Sequence, residues 1–370
     1  MIGLGLHILG AEAMKRLRFI ALCWATVAIL MACQGDRLTN RPSPLAEPSQ
    51  LESVETFDSG AIAALMDDLP PARPDMSTFP VTIENCDRPL TFSQPPQRVI
   101  SLWQPPNEML LALGVEEQLI GFAGNYAPLP PALEDAAATV PTLGEALRWP
   151  SREVILSQNP DVIISEGLSG FAFDPAQGYA TVAELEAAGI QVISTGSNCN
   201  PLQASERGID AVYGDLQMLA QVFGVSARGD DLVERLRQRQ GEITQQVKDL
   251  PRVPTVFYNG GEGPLAVLGS GVWGDAVRQA GGEPVFDPSV FQVGREEFAN
   301  SNAEVILIGT YPGQDAEVLK AFLVETFPNL PAVQGDRLYP IPTIETEASI
   351  RVIAGLERIA RAIHPGAFAP

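Results

Sequence analysis

Beyond Pro80 the chain is built from short apolar runs alternating with helix-like stretches. The alternation breaks off once, for about 50 residues that contain no strand signal. Alternating signals of this kind specify βα units on a mostly parallel sheet, and one long interruption divides them into two series. The first series places strands at 98–102, 119–123, 161–165 and 190–194, with helices at 107–113, 151–157 and 181–188. The second places strands at 255–258, 305–308 and 337–341, closed by a helix over 348–363. Between them, 210–223 and 227–249 read as helices. In the latter Leu232, Leu236, Ile243, Val247 and Leu250 recur at helical spacing, and Pro251 stops the run. At 1.5 Å per residue that helix spans roughly 35 Å, enough to run along two lobes.

An internal echo fits two related lobes. Arg152 to Ile164 (REVILSQNPDVII) aligns without gaps on Arg295 to Leu307 (REEFANSNAEVIL), with Arg, Glu, Asn, Val and Ile identical and Asp161 matched in charge by Glu304. The competing explanation is that amphipathic helix-strand pieces resemble one another by composition alone.

The N-terminal stretch reads as an address. From Met14, Lys15, Arg16 and Arg18 precede an apolar run from Phe19 to Ala32, which closes as Leu30-Met31-Ala32-Cys33. Its length suits a signal peptide and falls short of the roughly 20 residues a membrane span requires. Residues 1–32 are therefore expected to be the signal, with Met14 as the expected true start. Small Ala32 directly before Cys33 resembles a bacterial lipobox, which makes Cys33 the expected lipidation site. An ordinary secretory signal is the alternative, and both export the chain. Residues 33–79 are rich in Pro, Ser, Asp and Glu and are expected to be a lipid anchor and disordered tether, compatible with a short helix around 61–66. With Cys23 removed and Cys33 lipidated, Cys86 and Cys199 remain, and an oxidising compartment favours one bridge between them over two buried thiols.

Composition excludes several function classes. Lys+Arg of 24 against Asp+Glu of 45 gives a net charge of -21, which repels nucleic acid and anionic headgroups. The two histidines, His7 and His364, lie near the chain ends, which leaves none in the body of the chain for a Ser-His-Asp triad or a His-based metal centre. Gly261-Glu262-Gly263 is followed by Pro264 and makes a poor dinucleotide turn. Gly167-Leu168-Ser169-Gly170 has no histidine to activate Ser169. The chain is not expected to be an enzyme.

Six ordered segments carry a family resemblance: PVTIENCDRPLTFSQPPQRVISLWQPPNEMLLALGVEEQLIGFAG, LGEALRWPSREVILSQNPDVII, ELEAAGIQVIST, LQMLAQVFGVSARGDDLVERL, GSGVWGDAVRQAGG and VQGDRLYPI. Over residues 80–363 the chain resembles the class III periplasmic binding proteins, which deliver iron-siderophores, haem or cobalamin to ABC importers. The resemblance implies an α/β fold of two Rossmann-like lobes joined by a single long α-helix, with the ligand in the cleft between them. The expected domains are an N-terminal lobe at 80–205, a helical interlobe segment at 206–250 and a C-terminal lobe at 251–370. It implies a periplasmic or extracytoplasmic, lipid-anchored monomer that meets an ABC importer permease dimer. The cargo is a metal chelate, ferric siderophore first, with cobalamin, another corrinoid or haem as alternatives, and no resident cofactor is expected. A sensory or envelope lipoprotein on the same fold is the reading from another class.

Open α/β sheets hold ligands in loops at the carboxyl ends of their strands. That rule selects Trp103, Gln104, Asn107, Asn125, Tyr126, Arg148, Trp149, Ser169 and Phe171 in the first lobe, and Tyr258, Asn259, Glu262, Trp273 and Tyr311 in the second. Aromatic rings give rigid area to a partly apolar chelate, and Arg148 could meet negative charge on it. For any one of these rings, core packing is the competing role. Glu153 and Glu296 occupy the same place in the internal echo. In the family one glutamate on each lobe meets permease arginines, so these two are the expected transporter-docking residues, unless they are simply solvated first-turn residues.

Overall fold

The computed structural model describes residues 56–144, 146–196, 199 and 207–368 of the 370-residue chain. The signal peptide, Met14, Cys33 and the first part of the expected tether lie outside the described residues. Among the described residues no helix is long and apolar enough to cross a membrane.

Two four-stranded parallel sheets form the frame. In the first, β3 (Val99–Leu102), β4 (Leu119–Ala123), β5 (Val162–Glu166) and β6 (Gln191–Thr195) stand in the order β4-β3-β5-β6. In the second, β7 (Val253–Tyr258), β9 (Gly282–Pro284), β11 (Val305–Thr310) and β12 (Leu338–Pro342) stand in the order β12-β11-β7-β9. Numbered within its own lobe, each sheet has the same order: second strand, first, third, fourth. The internal echo falls on the same place in both. The Arg152–Gln158 helix leads into β5 and the Arg295–Ala299 helix into β11, each the third strand of its sheet. Central strands are continuous apolar runs because helices cover both faces: all four residues of β3 are buried, as are Val162 to Ser165 and Val305 to Gly309. The short helices are fixed by side-chain caps. Ser151 accepts from the Val154 N–H, Asn159 ends the same helix in the left-handed region, and Thr181 with Glu184 forms a reciprocal capping box.

Short antiparallel pairs decorate the frame. β1 (Val81–Glu84) and β2 (Pro89–Phe92) form a hairpin, held to β6 by Asn85, which both donates to the Ser194 carbonyl and accepts from its N–H, at 2.8 and 2.9 Å. Cys86 in its turn is bonded to Cys199 across 113 residues of sequence, with their Cα atoms 5.3 Å apart. The expected bridge is therefore formed. β8 (Leu265–Ala266) and β10 (Gln292–Val293) make a second pair beside β7.

The helices Asp210–Val222 and Ser226–Val247 lie between the two sheets in sequence and pack against each other. Their approach is close at Gly229, where any Cβ would lie 2.3 Å from that of Ala220. The longer helix reaches both lobes. Arg228 near its start donates to the Ala112 carbonyl of the first, and Gln240 near its end donates to Gln279 of the second at 2.7 Å. It buries Leu232, Val233, Leu236, Ile243 and Val247, and ends four residues before Pro251.

One sequence expectation needs correction. Residues 56–79 are not tether: a helix at Thr56–Met66 buries Ile62 and Leu65 in the main core. The chain after it is tied down by Arg228, which donates to the Pro70 carbonyl, and by Asp75, whose N–H donates to Gly224. The expected long helix joins the two lobes, and packing contacts add to that connection. After β12 the chain crosses back, and Arg351 pairs with Glu108 of the first lobe at 2.9 Å, with the residues 5% and 0% exposed. The Val352–Ile363 helix that follows packs on the Ser226–Val247, Thr56–Met66 and Gly271–Gln279 helices. The reason lies in its sequence: Glu357 sits amid an almost wholly apolar surface and pairs with Arg239 of the long helix.

Candidate functional site

The loops leaving the carboxyl ends of the strands converge on one group of aromatic rings. Trp103 follows β3, Tyr126 follows β4 and Phe171 follows β5, while Trp149 comes from the loop ahead of the Arg152–Gln158 helix. Trp103 lies 5.3 Å from Tyr126, 5.7 Å from Trp149 and 6.4 Å from Phe171, centroid to centroid. Trp149 also meets Phe171 at 6.1 Å and Tyr179 at 5.9 Å. From the second lobe Tyr311, after β11, comes within 6.0 Å of Tyr126. Two features set this geometry. The Trp149 indole N–H donates to the Leu102 carbonyl at 3.1 Å. Gly124, at φ +82, leaves room where a Cβ would press on Trp103 at 3.1 Å. Phe171 is 66% exposed at a left-handed φ of 39, a conformation that costs free energy in a non-glycine residue.

The other predicted residues divide by role. Asn125 accepts from Asn107 at 2.7 Å, and Asn107 also donates to the Ala123 carbonyl, so both shape the loop after β4. Gln104 is wholly buried and touches no open cleft. Its Oε1 accepts from the N–H groups of Tyr126 and Ala127 and its amide donates to Glu108 and the Ala127 carbonyl, which makes it a positioning residue. Asn259, after β7, donates to the Tyr311 hydroxyl at 3.4 Å and keeps its Oδ1 buried without a partner. Arg148 and Ser169 are exposed. Glu262 is also exposed, and its carbonyl accepts from Arg295.

One predicted ligand contact, Tyr258, is a core residue instead, while Trp273 is half-buried with its indole N–H unpartnered. Tyr258 is 1% exposed, donates to the Gly261 carbonyl at 2.9 Å and packs edge-on against Phe298. As the last residue of a strand buried on both faces, it points into the layer beneath the cleft. Trp273 belongs to the Gly271–Gln279 helix and packs on the main core, with no ring contact to the aromatic group.

The sequence reading missed Glu347. It follows β12, so the same strand-end rule could have selected it. The Tyr126 hydroxyl donates to Glu347 Oε1 at 2.6 Å, a hydrogen bond from one lobe to the other. Burial, followed by the negative charge of Glu166, pushes the Glu347 carboxyl up to about 8. Burial and the neighbouring Glu347 likewise push the Tyr126 phenol well above its ordinary range. Glu153 and Glu296 are both exposed, each in the second position of its helix. The backbone N–H of Glu153 and then the Ser151 hydroxyl, 3.0 Å away, hold the Glu153 carboxyl below the usual range.

A family model for the periplasmic binding protein matches residues 99–344. YvrC of Bacillus subtilis strain 168, an ABC transporter substrate-binding lipoprotein, is 22% identical over 323 residues, which covers 80% of this chain and 90% of its own. A periplasmic binding protein from Veillonella parvula DSM 2008 superposes with a TM-score of 0.68 at 20% identity, over 77% of this chain and 97% of its own. A Saccharomonospora viridis DSM 43017 structure, described as an ABC-type Fe3+-hydroxamate transport system, gives 0.63 at 27% identity, over 77% of this chain and 99% of its own. The matched residues run from β3 through the turn after β12 and so take in both sheets, the helices between them and the aromatic cleft; this chain belongs to the periplasmic binding protein family.

Proposed function

We propose that this chain is the extracytoplasmic substrate-binding lipoprotein of an ABC importer, anchored through lipid at Cys33, and that its cargo is a metal chelate, a ferric siderophore of the hydroxamate class first. The observation that carries this reading is the convergence of Trp103, Tyr126, Trp149 and Phe171 from one lobe with Tyr311 from the other at the strand ends. Such a group offers broad rigid contact to a bulky, partly apolar chelate and little reactive chemistry. The relation to the Saccharomonospora protein supports the hydroxamate class. Delivery would use Glu153 and Glu296, exposed at matched places on the two lobes, to meet paired cationic sites on a dimeric permease.

Tryptophan-quench titration of the domain from residue 56 onward tests the cargo, with ferric hydroxamate, catecholate and citrate chelates, cobalamin and haem as probes. Trp103 and Trp149 lie in the cleft, so saturable quenching by the ferric hydroxamate at micromolar concentration or below is expected. Saturation by cobalamin or haem alone would reject the siderophore reading. Silence towards every probe would reject chelate binding and favour a sensory role.

A further inference from the structure

Two residues beside the cleft carry two costs at once. Leu147, at φ 56, and Phe171, at φ 39, sit in the left-handed region, which the Cβ of a bulky side chain disfavours. The other non-glycine residues found there among the described residues are Asp, Asn or the bonded Cys86, and Asp and Asn tolerate that region far better. Leu147 is also 59% exposed and Phe171 66% exposed, so the turn that strains each backbone holds an apolar side chain in solvent.

Both turns are firmly held. The Leu143 N–H donates to the Phe122 carbonyl at 2.9 Å and the Trp149 indole to the Leu102 carbonyl at 3.1 Å, which pins the chain on either side of Leu147. Between those points the backbone folds so tightly that a Cβ on Gly144 would lie 2.3 Å from the Arg148 carbonyl. Phe171 follows Gly170, itself at φ 66, and opens a turn whose next two residues, Ala172 and Phe173, are buried. Phe171 is turned outward instead, its ring 6.1 Å from Trp149 and 6.4 Å from Trp103. Core packing accounts for the turn and leaves its outward ring unexplained. Gly or Asn at either position would hold the same backbone at lower cost.

We propose that Leu147 and Phe171 are apolar lips of the cleft, which meet the cargo beside Trp149 and slow its release. The proposal rests on the chelate reading for the identity of the cargo and adds the kind of surface that cargo presents: an apolar outer face, such as the methylene backbone or an acyl arm of a chelate. Continuity with the aromatic group ties both residues to cargo, because Phe171 touches both cleft tryptophans and Leu147 stands two residues before one of them. Burial of the two side chains against the cargo offsets the cost of holding them in water. Contacts completed after the cargo is seated lengthen its residence more than they speed its arrival.

The test follows release of a linear ferric trihydroxamate by recovery of tryptophan fluorescence after dilution. Leu147→Asn and Phe171→Asn keep the left-handed backbone and remove the apolar surface. Each should release the chelate about tenfold faster, with association altered by less than about twofold, and neither should lower the urea midpoint of unfolding. Leu147→Met, apolar again, should release as slowly as the unaltered chain. Unchanged release by both Asn variants would overturn the lips and leave the chelate reading standing. A lowered urea midpoint would also overturn them, since the side chains would then serve packing. Loss of importer ATPase stimulation with unchanged release would assign the two residues to the permease and reject the cargo contact. If no trihydroxamate binds, 1-anilinonaphthalene-8-sulfonate replaces it as a bare apolar probe. Probe fluorescence that falls when Leu147→Asn and Phe171→Asn are combined then upholds the lips while the hydroxamate reading falls, and equal fluorescence removes both.

Discussion

Arg351→Met should destabilise the protein more than any single change on its surface, and in a way that depends on pH. The Arg351 Nε donates to Glu108 Oε2 at 3.1 Å, its Nη2 lies 2.9 Å from Oε1, and the same nitrogen donates to the Pro128 carbonyl at 2.5 Å. Both residues are buried, so methionine leaves the Glu108 carboxylate with only neutral side-chain partners, the Gln104 amide at 2.9 Å and Ser349, and no counter-charge from Arg351. Breaking a buried pair from one side costs about 3–5 kcal/mol, most of it the stranded charge, whereas replacing both partners by apolar residues is often near neutral. Burial already pushes the Glu108 carboxyl above its ordinary range against the pull of Arg351. Without Arg351 the upward shift grows. A carboxyl raised in the folded state binds more protons there than in the unfolded chain, so its contribution is greatest below the unfolded midpoint near ~4.3 and declines as pH rises towards the folded one. The loss in Arg351→Met should therefore be smallest near the unfolded midpoint and grow as pH rises above it. Urea unfolding reads it directly: at a slope of about 3 kcal/mol/M, a loss of about 3 kcal/mol moves the midpoint by about 1 M. Glu108→Met combined with Arg351→Met should recover most of that shift. A single variant that loses less than about 1 kcal/mol at a pH well above the unfolded midpoint of the carboxyl, or a double variant no more stable than the single, would refute the buried-pair reasoning.

Three further outcomes are expected. Glu153→Ala with Glu296→Ala should leave chelate affinity unchanged and abolish stimulation of the importer's ATPase in proteoliposomes; normal transport by the double variant would reject docking through these residues. Free-thiol labelling of the denatured, unreduced domain should find neither Cys86 nor Cys199 reactive, and Cys86→Ser with Cys199→Ser should cost up to about 4.7 kcal/mol in urea unfolding, the chain-entropy ceiling for a loop of this size. Small-angle scattering should show the radius of gyration changing by less than about 1 Å on cargo binding, because the long helix and the Glu108–Arg351 pair both oppose closure about the cleft; a fall of several ångströms would mean that the lobes swing.

The frame was legible in the sequence because it rests on local signals. Apolar runs of strand length, interrupted once by two helical stretches, placed seven of the eight frame strands to within a residue or two. The exception was β9, where Gly282-Glu283-Pro284 carries no apolar run and is a strand by virtue of pairing beside β7. The echo between residues 152–164 and 295–307 proved to mark equivalent third strands of two sheets with one topology. Strand-end position also found Trp103, Tyr126, Trp149, Phe171 and Tyr311, since the carboxyl edge of a parallel sheet follows from chain direction alone.

What the sequence could not assign was which strand-end side chains turn outward and which acids have partners. Tyr258 and Tyr311 both lie at strand ends, yet one is packed against Phe298 and the other faces Tyr126. Glu108, Glu345, Glu347 and Glu357 are alike as letters. Glu108 is neutralised by Arg351 from 243 residues away, Glu345 by Arg358 and Glu357 by Arg239 and Arg361, while Glu347 accepts from the Tyr126 hydroxyl across the cleft. By itself the sequence determined two βα series, the long helix between them and an aromatic strand-end rim, because periodicity and turn chemistry act between near neighbours. Only the tertiary structure decided the return of the C-terminal helix to the first lobe and the burial of Glu347 against Tyr126, because burial and charge pairing depend on contacts between residues hundreds of positions apart.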